Sequence, residues 1–303
     1  MGTIFHLQFY AHHQAEADRV ASACFKRIKE LNTAFSDYDE NSELRQLCAK
    51  AGKGPVTVSK DMMDILRESL LWSKRTDGAF DITLAPVIQL WRNARRTRQL
   101  PRQEVLERAR NLVNYRNIQL DQKQVTVTLT QSGMKLDLGG IAKGFTADEV
   151  QRVLKEHGIQ SACVAAGGDI CVSQRPPHQT GWRIAIAPLK ATDEYAADTI
   201  ILENQAVSTS GDLEQFVEIA GTRYSHIVDP RTGIGVKGRM SCTVIAPRCV
   251  DSDAAATAFC VLNSESGMRM IQGLPGAASL FLVEQDQQVK RLQSTNWNQL
   301  LQK

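Results

Sequence analysis

Residues 134–150, MKLDLGGIAKGFTADEV, bring glycines and charges of both signs together. Gly139 and Gly140 follow an apolar alternation that predicts a short strand, and an amphipathic pattern that predicts a helix comes next. Asp137 and Lys143 flank the turn. Such a turn presents backbone N–H groups at a helix start, which suits phosphate. The glycine spacing fits neither a dinucleotide fingerprint nor a P-loop, so a tight structural turn is an equally good interpretation.

A second candidate lies in the predicted helix over residues 250–262, VDSDAAATAFCVL. Asp253 and Thr257 are four residues apart, so they share one helical face. A carboxylate and a hydroxyl on one face suit a hard cation such as Mg²⁺, which keeps waters and takes further ligands from phosphates. The alternative is a helix-start acid stabilised by the dipole, with the threonine bonded back to its own helix.

A third candidate is the strand-to-turn segment 225–233, SHIVDPRTG. It combines His226, Asp229 and Arg231 within six positions. This combination at a strand-to-turn junction indicates a functional site, although a structural histidine fits the pattern equally well. Asp229 either orients His226 or stabilises the turn.

Composition excludes several classes of protein. The chain has 303 residues, 43% hydrophobic and 23% charged, which is typical of a globular protein. A formal charge of +3 is too small to indicate nucleic acid as a partner, and the arginine-rich stretch 92–110 is interpreted as a solvated loop and helix face. The acidic segment 36–44, SDYDENSEL, is either a solvated loop or the carrier of a flat ring, Tyr38, for an aromatic ligand.

Two features bear on location. No apolar run approaches the ~18 residues of a membrane span, and residues 1–10 lack the pattern of a signal peptide. The seven cysteines contain no C-x-x-C, which favours free thiols and a reducing compartment. The chain as written is therefore expected to be cytoplasmic and to carry no transmembrane segment; a leader ahead of Met1 would instead make it a periplasm-facing lipoprotein.

The elements that must position these residues follow from hydrophobic periodicity. A glycine pair at residues 167–168 is interpreted as a β-bulge. No Pro/Gly/Ser-rich linker interrupts the chain, which favours one compact unit. Helices are predicted over 15–35, from Ser59 onward, 142–157 and 250–262, and strands over 3–11, 56–58, 118–120, 125–129, 134–138, 161–166, 183–187, 205–211, 216–219, 223–228 and 241–246.

Eight segments, taken together and in order, resemble the bacterial FAD:protein FMN transferase family, also called the ApbE or thiamine-biosynthesis-lipoprotein family. The resemblance covers nearly the whole chain. It implies a single α+β domain, residues 1–303, of mixed and antiparallel sheets with packed helices. The segments are MGT at the start, SDYDENSEL, DGAFDIT, LDLGGIAKG, AAGGDI, VSTSGD, HIVDPRTG and the D-x-x-x-T of the last candidate helix.

The resemblance implies a Mg²⁺-dependent transferase that moves FMN from FAD onto a Thr hydroxyl of an acceptor flavoprotein and releases AMP. The acceptor is expected to be a subunit of a redox-driven ion pump or of flavin reductase type. His226 is implied as general base and Asp253 as a catalytic residue that also binds metal, together with Thr257 and the backbone carbonyl of Gly140. The implied FAD contacts are Met1, Tyr38, Ala79, Phe80, Asp81, Asp137, Lys143, Thr209 and Val228.

Two other functions remain open at this point. An FAD pyrophosphatase giving FMN and AMP would use the same metal site, with water in place of the protein hydroxyl. A non-catalytic flavin-binding protein would need neither metal nor base, and the presence of Asp253, Thr257 and His226 argues against it.

Overall fold

The computed structural model describes residues 2–189, 199–212 and 215–298. Helices and strands both occur along this part of the chain, which agrees with the α+β prediction. The helices are α1 (Gln14–Phe35), α2 (Glu43–Ala49), α3 (Lys60–Arg75), α4 (Ala85–Thr97), α5 (Gln103–Arg110), α6 (Ala142–Glu156), α7 (Cys249–Val261) and α8 (Ser264–Gln272). The strands are β1 (Phe5–Phe9), β2 (Val56–Thr57), β3 (Ile118–Asp121), β4 (Thr126–Leu129), β5 (Ala162–Ala166), β6 (Asp169–Val172), β7 (Trp182–Ala185), β8 (Thr199–Leu202), β9 (Gln205–Gly211), β10 (Phe216–Ile219), β11 (Thr222–Asp229), β12 (Ile234–Lys237), β13 (Met240–Ala246), β14 (Ala278–Gln285) and β15 (Gln288–Gln293).

Contacts divide the chain into two compact units. The first unit contains Leu31–Ala142 and the described part of Glu214–Gly238; the second contains Gly2–Glu30 and the described parts of Lys143–Leu213 and Arg239–Lys303. The expectation of one domain over residues 1–303 stays a prediction. No helix of the described residues is long and apolar enough to cross a membrane.

The first unit holds two three-stranded antiparallel sheets, in the orders β10-β11-β12 and β2-β4-β3. Its helix α4 packs beside α5, β10 and β11. Trp91 and Val87 from α4 are buried with Tyr224 and Val228 from β11, so an apolar stripe fixes this helix against the sheet. The ring nitrogen of Trp91 donates to the Gly233 carbonyl oxygen at 2.8 Å, which secures the turn after β11.

The second unit is built on a seven-stranded sheet in the order β1-β5-β6-β9-β13-β14-β15, with every neighbouring pair antiparallel. Helix α7 packs on β9 and β13, and α8 packs on β14. Ten of the thirteen residues of α7 are buried, as its alanine-rich sequence allows. A polar side chain on α7 is therefore held inside the protein, and it needs a partner there.

The strand predicted over residues 134–138 is wrong. The apolar alternation is real, because Met134, Leu136 and Leu138 are all buried. The backbone nevertheless has no strand partner there: the Leu136 N–H contacts the sulfur of Cys48, and the Asp137 N–H donates to the Ile82 carbonyl oxygen. Burial gave the segment its alternation without a ladder of hydrogen bonds.

Two further interpretations need correction. Residues 167–168 form the two-residue turn of the β5–β6 hairpin, since Ala166 pairs with Asp169, and they are not a bulge. The arginine-rich stretch 92–110 forms the end of α4 and all of α5, and most of its arginines are exposed, but Arg92 is partly buried rather than solvated.

Candidate functional site

Asp253 is the buried carboxylate of the second unit. It lies on α7 with 1% of its surface exposed. Its Oδ2 accepts a hydrogen bond from the backbone N–H of Gly144 at 2.9 Å, in the first turn of α6. The first N–H groups of a helix lack partners within it, so this end of α6 is a natural anion site, and Asp253 occupies it.

Lys143 lies between two acids. Its Nζ is 2.7 Å from Oδ2 of Asp169 and 3.4 Å from Oδ1 of Asp253. Both carboxylates are almost fully buried, whereas the lysine side chain keeps 26% exposure. Burial opposes the charge on Lys143, but Asp253 and Asp169 outweigh it, so the pKa of Lys143 is raised. One cation therefore serves two buried acids.

A single lysine does not fully compensate the charge of the two buried carboxylates, Asp169 and Asp253. Burial and the repulsion from Asp169 raise the pKa of Asp253 to about 7, although Lys143 and the Gly144 N–H stabilise its charge. A carboxylate in this state gains from a second cation nearby. Thr257 stands one turn further along α7, and its hydroxyl is 3.2 Å from that of Ser210.

These donors fit a hard divalent cation. Carboxylate and hydroxyl oxygens are the ligand class that Mg²⁺ takes, and the under-compensated charge at Asp253 favours it. Within the described residues no three His, Cys, Asp or Glu side chains are grouped closely enough to hold a metal ion. A cation would therefore need backbone oxygens, water or ligand phosphates besides Asp253 and Thr257.

Gly144 is required by close packing. A Cβ atom at this position would lie 2.3 Å from the Cys249 carbonyl oxygen and 2.8 Å from the Asp253 Cβ. Both contacts are closer than real Cβ atoms approach, so only glycine lets α6 and α7 come this near. This approach allows the Gly144 N–H to reach Asp253.

Asp148 caps α7 from outside that helix. The local cap residue, Arg248, makes no side-chain cap hydrogen bond. Instead Asp148, on α6, accepts the N–H of Cys249 at 2.8 Å and that of Val250 at 2.9 Å. Burial raises the pKa of Asp148 to about 6, against the lowering effect of these two hydrogen bonds. The carboxylate therefore holds the start of the helix that carries Asp253.

In the first unit a guanidinium links two acids and an aromatic ring. Arg92 on α4 donates to Asp37 at 2.6 Å and to Asp137 at 3.0 Å. Its guanidinium carbon lies 4.8 Å from the centre of the Tyr38 ring. Two of the residues implied in FAD binding, Tyr38 and Asp137, are thus brought together.

The segment around Asp81 joins the same part of the first unit, because the Ile82 carbonyl oxygen accepts the Asp137 N–H at 2.8 Å. Asp81 accepts from the N–H and the hydroxyl of Thr83 and from the Tyr115 N–H. Burial raises the pKa of Asp81, with these hydrogen bonds acting the other way. The carboxylate holds the backbone of its own turn.

His226 lies on β11. Its Nδ1 is 3.0 Å from the Gln215 carbonyl oxygen. A carbonyl oxygen only accepts, so Nδ1 carries the proton and, in the neutral ring, Nε2 carries the lone pair. Asp229 binds Arg231 through both carboxylate oxygens, at 2.9 and 2.8 Å, and its backbone oxygen accepts from the turn. Of the two roles left open for Asp229, these contacts support the stabilisation of the turn.

The remaining candidates are placed as follows. The hydroxyl of Thr209 is 2.9 Å from that of Thr243 in the second unit. Val228, like Ala79 and Phe80, is buried, so any ligand contact from it would come through the backbone. Gly140 belongs to the first unit, in the turn before α6. Met1 lies outside the described residues. Their contacts with FAD or metal stay predictions.

The sequence profile of the ApbE family matches residues 1–281. The chain belongs to the ApbE family. This membership confirms the resemblance carried by the eight segments. An FAD:protein FMN transferase of Treponema pallidum is 31% identical over 297 residues, covering 93% of this chain and 82% of the relative. A second, from Klebsiella pneumoniae, is 29% identical and covers 94% of this chain and 87% of the relative.

Solved structures agree. The flavin transferase ApbE from Vibrio cholerae superposes with a TM-score of 0.89 at 27% identity, covering 99% of this chain and 96% of the other. The ApbE protein of Thermotoga maritima gives a TM-score of 0.85 at 26% identity, covering 99% of both chains. The predicted α+β, ApbE-like fold is therefore confirmed.

Three residues that are central to the contacts described above do not stand out in the sequence. The sequence patterns do not select Asp169, and they place Arg92 on a solvated helix face. Asp148 carried no signal at all. Each has its partners between 26 and 102 positions away in the sequence, and a one-dimensional pattern does not show such pairs.

Proposed function

We propose that this chain transfers FMN from FAD to a Thr hydroxyl of an acceptor flavoprotein, in a Mg²⁺-dependent reaction that releases AMP. The enzyme class, FAD:protein FMN transferase, is confirmed by the curated relatives and by membership of the ApbE family. The observation that supports the mechanism best is the buried carboxylate of Asp253 on α7, whose charge is only partly compensated. It contacts the Gly144 N–H in the first turn of α6, lies beside Lys143 and is one helical turn from Thr257.

In the proposed reaction the Thr oxygen forms a bond to the phosphorus of the FMN half. The bond from that phosphorus to the oxygen of AMP breaks, and the Thr proton leaves with a base. Asp253, Thr257 and the Gly140 carbonyl would hold Mg²⁺. When bound, the ion would neutralise pyrophosphate charge as AMP departs. Lys143 adds a positive charge held in place by Asp169.

His226 is proposed as the general base. Its tautomer supports this role, since Nδ1–H is engaged by a backbone oxygen and the lone pair is on Nε2. A hydroxyl near neutral pH is a weak nucleophile, and a positioned base contributes about 10²–10⁴-fold to such a step.

The flavin and nucleotide contacts are proposed for Met1, Tyr38, the run Ala79 to Asp81, Asp137, Lys143, Thr209 and Val228. Tyr38 is 75% exposed, whereas the other aromatic residue among these, Phe80, is buried. Aromatic stacking is worth about 0.5–1.5 kcal/mol beyond area burial, so the exposed ring supports the proposal of a flat ligand at this position.

We also propose a cytoplasmic location and an acceptor from a redox-driven ion pump or of flavin reductase type. All seven cysteines are free thiols, and free thiols persist in reducing compartments. Fractionation of the native host would test the location. Recovery in the membrane fraction with a periplasmic orientation would instead support a lipoprotein.

The decisive experiment incubates the protein with FAD, Mg²⁺ and a candidate acceptor domain, followed by intact-mass measurement of that domain. We expect a mass increase of one FMN moiety, with free AMP. The matched control is the acceptor with its target Thr replaced by Val, which should stay unlabelled. Free FMN and AMP without labelling would favour the pyrophosphatase, and FAD binding without turnover would favour the non-catalytic alternative.

A further inference from the structure

Arg92 has an unusual environment for an arginine in a charge-rich helix. It lies in the middle of α4, with 29% of its side chain exposed. Its Nη1 donates to Asp37 at 2.6 Å and its Nη2 to Asp137 at 3.0 Å, over sequence separations of 55 and 45 residues. A side chain held from two distant segments has a fixed position. Its exposed neighbour Arg96 differs, because its guanidinium donates to Asn93 in the same helix.

The two acids need this guanidinium. The side chains of Asp37 and Asp137 are 21% and 10% exposed. Burial, together with the charge of Asp37, raises the pKa of Asp137, whereas the Gly139 N–H and Arg92 lower it. Without a cation between them the two carboxylates would repel each other. Arg92 is thus anchored by charge on both sides.

The third contact of Arg92 is the Tyr38 ring, whose centre lies 4.8 Å from the guanidinium carbon. Arginine stacks well on aromatic faces. The loop beneath is braced: the hydroxyl of Ser36 accepts the Tyr38 N–H at 3.3 Å, and Ser42 donates to the Ser36 carbonyl oxygen at 2.6 Å. Yet Tyr38 stays 75% exposed.

An exposed aromatic ring with one face covered by an anchored cation is a preformed stacking platform. Hydrogen bonds hold the loop of Tyr38, and Arg92 packs on one face of its ring. Little conformational entropy is therefore lost when a flat ligand binds on the other face. If the segment 36–44 were only a solvated loop, there would be no reason for Arg92 of α4 to be held against Tyr38 by two acids.

We propose that Arg92 is a positioning residue for FAD binding: Asp37 and Asp137 anchor its guanidinium under Tyr38, and this fixes the ring for stacking on an aromatic ring of FAD. The inference rests on the proposed function, because it takes FAD as the ligand. Arg92 acts through Tyr38 and touches no reacting atom.

A double-mutant cycle tests this coupling. R92K keeps the positive charge that both acids require but removes the planar guanidinium from the ring. Kd for FAD is measured by flavin fluorescence for wild type, R92K, Y38A and the double variant. We expect R92K to weaken FAD binding about three- to tenfold, and the double variant to bind as Y38A does, within about twofold. Multiplicative losses would overturn the proposal.

The control is R96K, on the same helix and exposed, which should leave Kd unchanged. Thermal unfolding checks that each variant is folded. If R92K fails to fold, D37N replaces it in the cycle, because it releases one anchor of Arg92 and leaves the guanidinium in the chain. Unchanged FAD affinity in the replacement variant would overturn the proposal just as it would for R92K.

Separate titrations with FMN and with AMP identify the stacked ring. We expect the loss in R92K to be confined to one of the two ligands; an equal loss for both, or for neither, would count against stacking. Failure of the proposed function is distinguishable, because it would show in wild type, which would then bind no FAD or bind it without transferring FMN to the acceptor. Normal binding and transfer by wild type together with normal binding by R92K would remove only the role of Arg92.

Discussion

At the scale of single residues, Asp253 shows how burial prepares a carboxylate for a ligand. It is desolvated, it faces Asp169 and it shares Lys143 with that acid, so its charge is only partly compensated. The i, i+4 spacing with Thr257 makes it a candidate metal ligand in the sequence, and the family resemblance adds to that prediction. Asp169 was not selected, because its importance comes from a contact with Lys143 that the chain pattern does not contain.

Replacing Asp253 by Asn should separate catalysis from stability. The amide keeps the shape and an acceptor for the Gly144 N–H but removes the buried charge, so we expect unchanged or slightly higher stability in urea unfolding at pH 7. FMN transfer should fall by more than about 100-fold, because even residues that only orient metal ligands cost about 10–100-fold. D251N, on the same helix, is the control and should transfer normally. Near-normal transfer by D253N would make Asp253 a structural acid.

Replacing His226 by Ala should separate transfer from binding. We expect labelling of the acceptor to drop by about 10²–10⁴-fold at neutral pH, as for loss of a general base, while Kd for FAD changes little. The deficit should shrink as pH rises, because hydroxide partly replaces the base. Labelling is followed by intact mass at a series of pH values. A parallel loss of FAD affinity would instead assign His226 to ligand binding.

At the scale of elements, the α6–α7 pair carries the second unit's candidate site. Periodicity predicted both helices closely, at 142–157 and 250–262, and it predicted Ser59 as the cap of α3, where its hydroxyl accepts the Met62 N–H. It failed at residues 134–138, since alternating burial does not require a strand partner. Periodicity also could not predict that Asp148 caps α7, because this residue lies on another helix.

Replacing Gly144 by Ala should damage this helix pair. Alanine gains up to about 1 kcal/mol in helix propensity. Its Cβ, however, would lie 2.3 Å from the Cys249 carbonyl oxygen, and overpacking of this kind costs about 1–3 kcal/mol or more. We expect lower stability and loss of FMN transfer together. G273A is the control, because its Cβ would meet nothing nearer than 3.4 Å. A stable, active G144A would show that the helices can separate without harm.

Asp148 gives the second unit a specific pH dependence. Its pKa is raised from 3.8 to about 6 in the fold, so the folded state binds the proton more tightly than the unfolded state. The stabilising contribution is complete below pH ~4 and is lost as pH rises through about 6; a shift of this size corresponds to at most about 3 kcal/mol. We expect D148N to lack this dependence, so its stability relative to wild type should improve between pH 4 and pH 7.

Urea unfolding of wild type and D148N at matched pH values measures that difference, which cancels the titration of all other groups. D18N, an exposed change on α1, serves as the control and should follow wild type. A constant difference between D148N and wild type across the range would show that Asp148 titrates in the fold as it does in the unfolded chain.

At the scale of the whole molecule, the order of motifs carried more information than any single one. Eight short segments in family order predicted an ApbE-like α+β fold that superposition on solved relatives confirms. The pairing of distant segments was beyond reach: the seven-stranded order β1-β5-β6-β9-β13-β14-β15 joins strands from both ends of the chain. The contacts of Arg92 with Asp37 and Asp137 likewise join segments that are far apart in the sequence, so residue spacing could not predict them.

Ligand-linked stability tests the proposed ligands together on the intact protein. Within the described residues no three acidic, His or Cys side chains form a metal site, so Mg²⁺ alone should bind weakly. A ligand that binds only the folded state stabilises it by about 2.7 kcal/mol at a hundredfold excess over Kd. We therefore expect FAD to raise Tm, Mg²⁺ alone to change it little, and both together to exceed the sum, because phosphate oxygens complete the coordination. D253N should abolish the additional rise in Tm that Mg²⁺ causes in the presence of FAD, while keeping the rise caused by FAD alone. Tight, stoichiometric Mg²⁺ binding without nucleotide, measured by calorimetry, would contradict the shared site.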